Sequence, residues 1–246
     1  MSARCPRVSL FSPGADPLPV RSAFLPGVRR TLGLGARPHP SSGAARPHCL
    51  DLQIDGKVFG GTRVLGAVSI TLDPGQTLAV TGPSGIGKST LLRIMAGLDR
   101  DYEGRVWRPE RLSMVFQEPT LLPWRTARAN LTLTTGIDAA RADRALDEVG
   151  LAGMGDRFPG QLSLGQQRRL ALARAFAMDP DLLLMDEPFV SLDTARAEEL
   201  YALFEALRAR RPVATVLVTH DLGEARRLAD RIVRLDGLPA TLSPAV

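Results

Sequence analysis

The sequence predicts an α/β domain built on a mainly parallel sheet, and three observations carry that expectation. Short apolar runs at 77–81, 182–186, 213–219 and 231–235 alternate with helical segments. A glycine-rich stretch, Gly82-Pro83-Ser84-Gly85-Ile86-Gly87-Lys88-Ser89-Thr90, stands between the first of these strands and a helix. A carboxylate pair, Asp186-Glu187, closes the second strand. Strands separated by helices are joined by crossover connections, and crossovers produce parallel pairing.

The chain begins with a different texture. Residues 1–49 hold eight of the nineteen prolines, and Pro, Gly, Ser and Arg cluster over 37–47 without a sustained apolar period. Such a composition buries too little apolar surface to order itself, so a disordered leader is expected. Arg29-Arg30 followed by Thr-Leu-Gly-Leu-Gly-Ala resembles the opening of a twin-arginine export signal, but Arg37 ends the apolar stretch after six residues. The leader is read instead as a solvated tail, or as a start codon placed too far upstream.

Of the net charge of +5, the leader supplies seven Arg against one Asp, which leaves 24 basic and 25 acidic residues beyond it. Basic character therefore lies in the leader, without the interleaved aromatics that stack on bases, and no nucleic-acid partner is expected. The two cysteines, Cys5 and Cys49, match no metal-ligand spacing and no disulfide framework, which fits a reduced compartment. No apolar run approaches the ~20 residues of a membrane-spanning helix, so a membrane role would run through another polypeptide.

Across residues 50–236 each element has a local reason. An early hairpin carrying Phe59 precedes the buried strand at 77–81. The helix at 89–96 follows the glycine-rich turn and is stopped by Gly97. Residues 127–149 show helical periodicity, and Ser163 with Gln166 three residues on forms an S-x-x-Q capping box that starts another helix. Apolar residues at Leu200, Leu203, Phe204 and Leu207 recur at helical spacing between the strands at 182–186 and 213–219. Residues 237–246 are expected to form a short tail.

The glycine-rich stretch meets the GxxxxGK[ST] pattern of a P-loop, with a strand before and a helix after. Glycines let successive backbone N–H groups curl toward phosphates, and the following helix turns its partly positive end to the same anion. Lys88 is placed for the β- and γ-phosphates of a nucleotide, and Ser89 offers a hard oxygen to Mg²⁺. Asp186 suits a Walker B role of holding Mg²⁺ through water, which leaves Glu187 to polarise an attacking water.

With these motifs in place the chain resembles the ATPases of ABC transporters. Leu162-Ser163-Leu164-Gly165-Gln166 is similar to their LSGGQ signature and lies just upstream of Walker B. Gln117 takes the position of the Q-loop, Ser191-Leu192-Asp193 that of the D-loop and His220 that of the switch histidine. The resemblance implies a P-loop NTPase (RecA-like) fold, a mainly parallel sheet with an N-terminal antiparallel β part and an α-helical subdomain inserted at about 118–165.

It also implies ATP and Mg²⁺ as cofactors. Glu187, His220 and Lys88 are then the catalytic groups, and Ser89, Gln117 and Asp186 the metal-facing ones. Gly82, Pro83, Ser84, Gly85, Ile86, Gly87, Lys88, Ser89, Thr90, Gln117, Asp186 and Asp193 surround the nucleotide, and Phe59 stacks on its adenine. Ser163, Gly165 and Gln166 complete the site of a facing subunit, so the catalytic unit is a dimer, a homodimer here. Leu164 departs from the usual glycine of the signature and is expected to pack locally, since leucine adds bulk and restricts φ.

The segment from Gln117 to Arg125, with apolar Leu122 and Trp124, resembles the Q-loop of ATPases serving nitrate, sulfonate, taurine and thiamine-precursor importers. The implied partners are integral membrane permease subunits and, indirectly, a solute-binding protein, with the chain peripheral on the cytoplasmic face of the inner membrane. A soluble ABC protein of translation or repair fits less well, for the chain has one ATPase unit and no long coiled coil. A small-molecule P-loop kinase would explain neither the signature nor His220.

Overall fold

The computed structural model describes residues 48–244; the leader expected over 1–49 falls outside them except for its last two residues, and residues 245–246 lie outside as well. Those last two residues belong to the fold. The Cys49 N–H donates to the carbonyl of Leu72 at 2.7 Å, Cys49 is buried, and His48 pairs with Asp73 at 2.6 Å. The expected boundary therefore moves two residues upstream.

The first strands form an antiparallel sheet. Strand β1 (Leu50–Phe59) turns through Gly60-Gly61 into β2 (Thr62–Leu65), and β3 (Val68–Leu72) pairs along the first half of β1. Both turn glycines have positive φ, which glycine adopts at no steric cost. Alternation along β1 buries Leu50, Leu52 and Ile54, as a strand with one covered face requires. The same strand pairs with β5 (Glu103–Trp107), where a Cβ on Gly104 would stand 2.2 Å from the carbonyl of Gln53. Only glycine permits that approach.

A second sheet is six-stranded. It contains β4 (Thr77–Thr81), β6 (Leu112–Val115), β7 (Leu182–Asp186), β8 (Ala214–Val218), β9 (Arg231–Asp236) and β10 (Thr241–Pro244). Their order is β10-β9-β4-β8-β7-β6, parallel throughout except for the antiparallel β9/β10 pair. The segment expected as a tail thus supplies an edge strand, the kind of strand that tolerates a proline such as Pro244 at its end.

Six α-helices connect these strands: α1 (Lys88–Ala96), α2 (Ala127–Thr135), α3 (Ala139–Glu148), α4 (Leu164–Ala177), α5 (Thr194–Arg210) and α6 (Leu222–Leu228). Helices α2, α3 and α4 lie between β6 and β7 in sequence and pack on one another.

The apolar runs are uninterrupted because the second sheet is covered on both faces. Along β7, Leu182 and Leu184 join a core with Leu50, Leu52 and Ile54 of the antiparallel sheet and Leu91 and Met95 of α1. Leu183 and Met185 join the opposite core, with Phe176 of α4 and Leu200 and Phe204 of α5. In the first core's periphery the buried Lys57 of β1 donates to Asp99 at 3.0 Å and lies 3.3 Å from Asp101, tying the antiparallel sheet to the loop after α1.

Candidate nucleotide site

Parallel pairing brings the ends of β4, β7 and β8 to one edge. Val80 and Asp186 are both in register with Val218, so Gly82, Glu187 and His220 emerge side by side. Such an edge, at the carboxyl ends of parallel strands, is where open α/β sheets bind ligands.

The loop after β4 is shaped by glycine. Gly82 has φ 149°, and a Cβ there would stand 2.4 Å from the carbonyl of Leu235. Nothing lies within 4 Å of a Cβ built on Gly85, so the loop opens onto free space. Helix α1 then starts at Lys88 with Gly87 as its N-cap and no side chain bonded to its first N–H groups. The other five α-helices are capped by Thr126, Asp138, Ser163, Asp193 and Asp221. The uncapped N–H groups of α1 are donors in need of an acceptor, and an anion is a natural one.

Lys88 is buried, with its ammonium held at 2.9 Å by the carbonyls of both Gly82 and Pro83 and 3.5 Å from Glu187 Oε1. Ser89 Oγ donates to Asp186 Oδ1 at 3.1 Å. Burial raises the Asp186 carboxyl above its ordinary range, the Ser89 bond opposes that rise and the neighbouring Glu187 charge adds to it. Two hard oxygens close together, one on a desolvated carboxylate, suit a divalent cation. Ser84, Ile86 and Thr90 complete the loop, with Ser84 exposed and the other two half-buried.

Asp186 and Glu187 separate by a turn, not by continued pleating. The strand ends at Asp186, and Glu187 takes φ 46°, with its N–H donating to the Val218 carbonyl at 2.9 Å. A left-handed non-glycine residue costs ~1–2 kcal/mol, so the surrounding fold has to enforce it. Glu187 Oε2 meets His220 Nδ1 at 3.1 Å. One carboxylate therefore contacts both the lysine of the first loop and the histidine after β8.

The remaining sequence candidates fall in two groups. Gln117 is exposed two residues past the end of β6, the strand beside β7. Phe59 ends β1 in the hairpin and is 75% exposed, which rules out a core role; the Leu65 side chain of that hairpin abuts Gly87. Asp193 caps α5, accepting from the Arg196 N–H at 2.9 Å.

Ser163, Gly165 and Gln166 instead line a separate depression of about 320 Å³ with Arg169 and Arg196. The capping box is formed in full: Ser163 Oγ accepts from the Gln166 N–H at 3.3 Å, and Gln166 Oε1 accepts from the Ser163 N–H at 2.9 Å. Leu164 is 47% exposed, contrary to the expectation of local packing, because the first turn of α4 faces outward here.

Two arginines of α4 reach the loops around the site. Arg168, buried, donates to the Val190 carbonyl, and its Nε and Nη1 find no partner among the described residues. Arg174 donates to the carbonyls of Pro119 and Thr120 at 3.1 and 2.8 Å and to Thr120 Oγ1 at 3.0 Å. Both loops contain left-handed residues, Thr120 at φ 46° and Ser191 at φ 61°. Burial lowers the pKa of both arginines, and neither is paired with a carboxylate among the described residues.

Sequence reasoning missed two residues beneath His220. Thr219 Oγ1 donates to Glu224 Oε2 at 3.1 Å and accepts from the Asp221 N–H at 3.0 Å. Glu224 reads in sequence as an ordinary acid in the first turn of a helix, where carboxylates usually face solvent, so its spacing from His220 was the only signal. Glu187, His220, Thr219 and Glu224 line one cleft of about 410 Å³ between α5 and α6.

Among the described residues no helix is long and apolar enough to cross a membrane. The family profile described as "ABC transporter" matches residues 65–190. The aliphatic sulfonates import ATP-binding protein SsuB of Mycobacterium sp. (strain MCS) is 49% identical over 186 residues, covering 73% of this chain and 76% of that protein. SsuB 1 of Frankia alni is 48% identical over 181 residues, covering 73% and 68%, and SsuB 2 of Burkholderia cenocepacia (strain HI2424) is 40% identical over 218 residues, covering 84% and 80%. A profile match over half of the chain, with relatives this similar across most of both lengths, shows that the chain belongs to the ABC transporter family, as an ATP-binding subunit and an ATPase.

Proposed function

We propose that this chain powers import of an aliphatic sulfonate or a closely similar organic anion, working as a dimer on the cytoplasmic face of a membrane permease fed by a solute-binding protein. The observation that carries the hydrolytic reading is Glu187, which stands 3.5 Å from Lys88 and 3.1 Å from His220 and so links the phosphate loop to the histidine turn. The solute reading rests on the relatives, whose names assign them to aliphatic sulfonate import.

In this reading the backbone of residues 82–90 and the uncapped start of α1 surround the phosphates of ATP. Lys88 exchanges the carbonyls of Gly82 and Pro83 for phosphate oxygens. Ser89, Asp186 and Gln117 would hold Mg²⁺, which would supply charge neutralisation across the phosphates. Glu187 polarises the attacking water, and His220 orients Glu187 and senses the γ-phosphate. Phe59, exposed at the end of β1, offers a face to adenine.

The depression around Ser163, Gly165 and Gln166 serves the nucleotide of the second subunit, which accounts for its separation from Lys88. Asp193 lies at the same junction. Helices α2 to α4 form the helical subdomain, and Trp124, 67% exposed, is an anchor for the permease.

Purified protein should hydrolyse Mg-ATP, and Lys88→Ala should lose ATP binding. In proteoliposomes with permease and binding protein, an aliphatic sulfonate should accelerate hydrolysis. Acceleration by some unrelated solute but not by a sulfonate would sink the solute reading and leave the ATPase reading intact.

A further inference from the structure

The first turn of α6 contains a carboxylate with no evident task. Glu224 is 6% exposed, although acids in a helix's first turn ordinarily sit in solvent and complement the helix dipole. Its Oε2 accepts from the Thr219 hydroxyl at 3.1 Å, while Oε1 is buried with no hydrogen-bond partner among the described residues. A buried acceptor left unmade is destabilising, so structure alone gives no reason for an acid here.

Its surroundings are mostly negative. Asp221 lies on the same turn, Glu187 approaches from the end of β7, and Glu198 and Tyr201 face the cleft from α5. The nearby cation Arg227 is already engaged by Glu198 and Glu205. His220, the remaining titratable neighbour, is bonded to Glu187. Tyr201 stays a neutral phenol, pushed up to about 12 by burial and by the charges of Glu224, Asp221 and Glu198.

We propose that Glu224 is a positioning residue for the hydrolytic pair, setting the orientation of His220 against Glu187 through Thr219 and the turn that follows it. The proposal rests on the reading of Glu187 and His220 as that pair. The mechanical part is direct: the Thr219 hydroxyl donates to Glu224 and accepts from the Asp221 N–H, so His220 is held between two ends of one hydrogen-bonded turn.

The electrostatic part follows from titration. Burial, with the Asp221 and Glu187 charges behind it, outweighs the Thr219 bond and pushes the Glu224 carboxyl up to about 7. Above that pH Glu224 is ionised and accepts the Thr219 hydroxyl in a stronger charge-assisted bond, which stiffens the turn that carries His220. Below it, Glu224 is neutral and that support is gone.

The sign of the stability effect is opposite, and this separates the two roles. A carboxyl whose folded pKa lies above its unfolded value lowers stability as pH rises from the ordinary carboxylate range to about 7, and above that the loss stays at its full size. Glu224→Gln keeps an acceptor for Thr219 but cannot ionise, so at pH 8 its Tm should be no lower than that of the unaltered chain.

The test is the ATPase pH profile of the full-length protein. In Glu224→Gln, kcat at pH 8 should fall about tenfold, the lower end of what loss of an outer partner costs an active group. It should converge with the unaltered chain near pH 6, at unchanged KM for ATP. Thr219→Val removes the bond that favours ionised Glu224, so the kcat inflection should move to higher pH. A Glu224→Gln profile parallel to that of the unaltered protein, or an inflection that stays in place in Thr219→Val, overturns the proposal. Glu187→Gln run alongside tells the two readings apart: if it retains turnover, the hydrolytic pair itself is misassigned, whatever Glu224→Gln does.

Discussion

Glu187→Gln isolates the carboxylate's chemistry from its shape. Glutamine preserves size but removes the charge that polarises water in the proposed reading, where losing a general base lowers turnover by about 10² or more, or ~2.7 kcal/mol of transition-state stabilisation. The structure adds a second effect. Glu187 is largely buried 3.5 Å from the Lys88 ammonium, where the gross attraction is ~5 kcal/mol at an effective dielectric of ~20.

Desolvation offsets most of that, so freeing Lys88 for phosphate should tighten ATP binding by on the order of 1 kcal/mol, several-fold in Kd. The variant should therefore bind nucleotide at least as well as the unaltered chain, close into a dimer and fail to reopen. Phosphate release and size exclusion with Mg-ATP read both effects. Near-normal turnover would remove Glu187 from the mechanism and leave His220 as the group that positions water.

Other perturbations probe the rest of the arrangement. Leu164→Gly alters an exposed side chain at the start of α4, outside the loop that holds Lys88, so the ATP affinity of the lone chain should not change; a tenfold shift, ~1.4 kcal/mol, would mean that the signature serves its own chain's site. Trp124→Ala should leave the basal ATPase intact and weaken stimulation by the permease, measured in proteoliposomes; unchanged stimulation would place the docking surface elsewhere.

Lys57→Met should lower stability in urea by ~1–3 kcal/mol, because it strands Asp99 beside a core. Burial pulls the Asp99 carboxyl upward, yet the Lys57 bond and charge hold it below its usual range. The pair's contribution is thus present at neutral pH and lost as pH falls below the ordinary carboxylate range, and acid titration of stability should be shallower in the variant.

The parallel strands were legible because burial on both faces writes them as unbroken apolar runs, as at 182–185. The glycine-rich turn before α1 and the Ser163 capping box were legible because their geometry demands particular residue types at fixed offsets. Strand β10 was not, since an edge strand of Thr, Leu, Ser and Pro needs no apolar run and is fixed by pairing with β9. Phe59 and Leu164 carry no mark of exposure in their residue type; only the placement of the hairpin and of α4 decides it. Glu224 was hidden for the opposite reason, a residue type that advertises solvent turned inward by a hydroxyl five positions earlier.

The grip of α4 on its two neighbouring loops has a mechanical consequence. Its guanidinium groups hold carbonyls at Pro119 and Thr120 in the loop after β6 and at Val190 in the loop after β7. Thr120 and Ser191 are each bent against their intrinsic preference, so both loops resemble loaded springs fastened to one rod. A rod fastened at two points transmits displacement and filters out local wobble. Any shift of α4, including one imposed at its exposed Ser163 end, must tug the loop after β6 and the loop after β7 together and in fixed proportion.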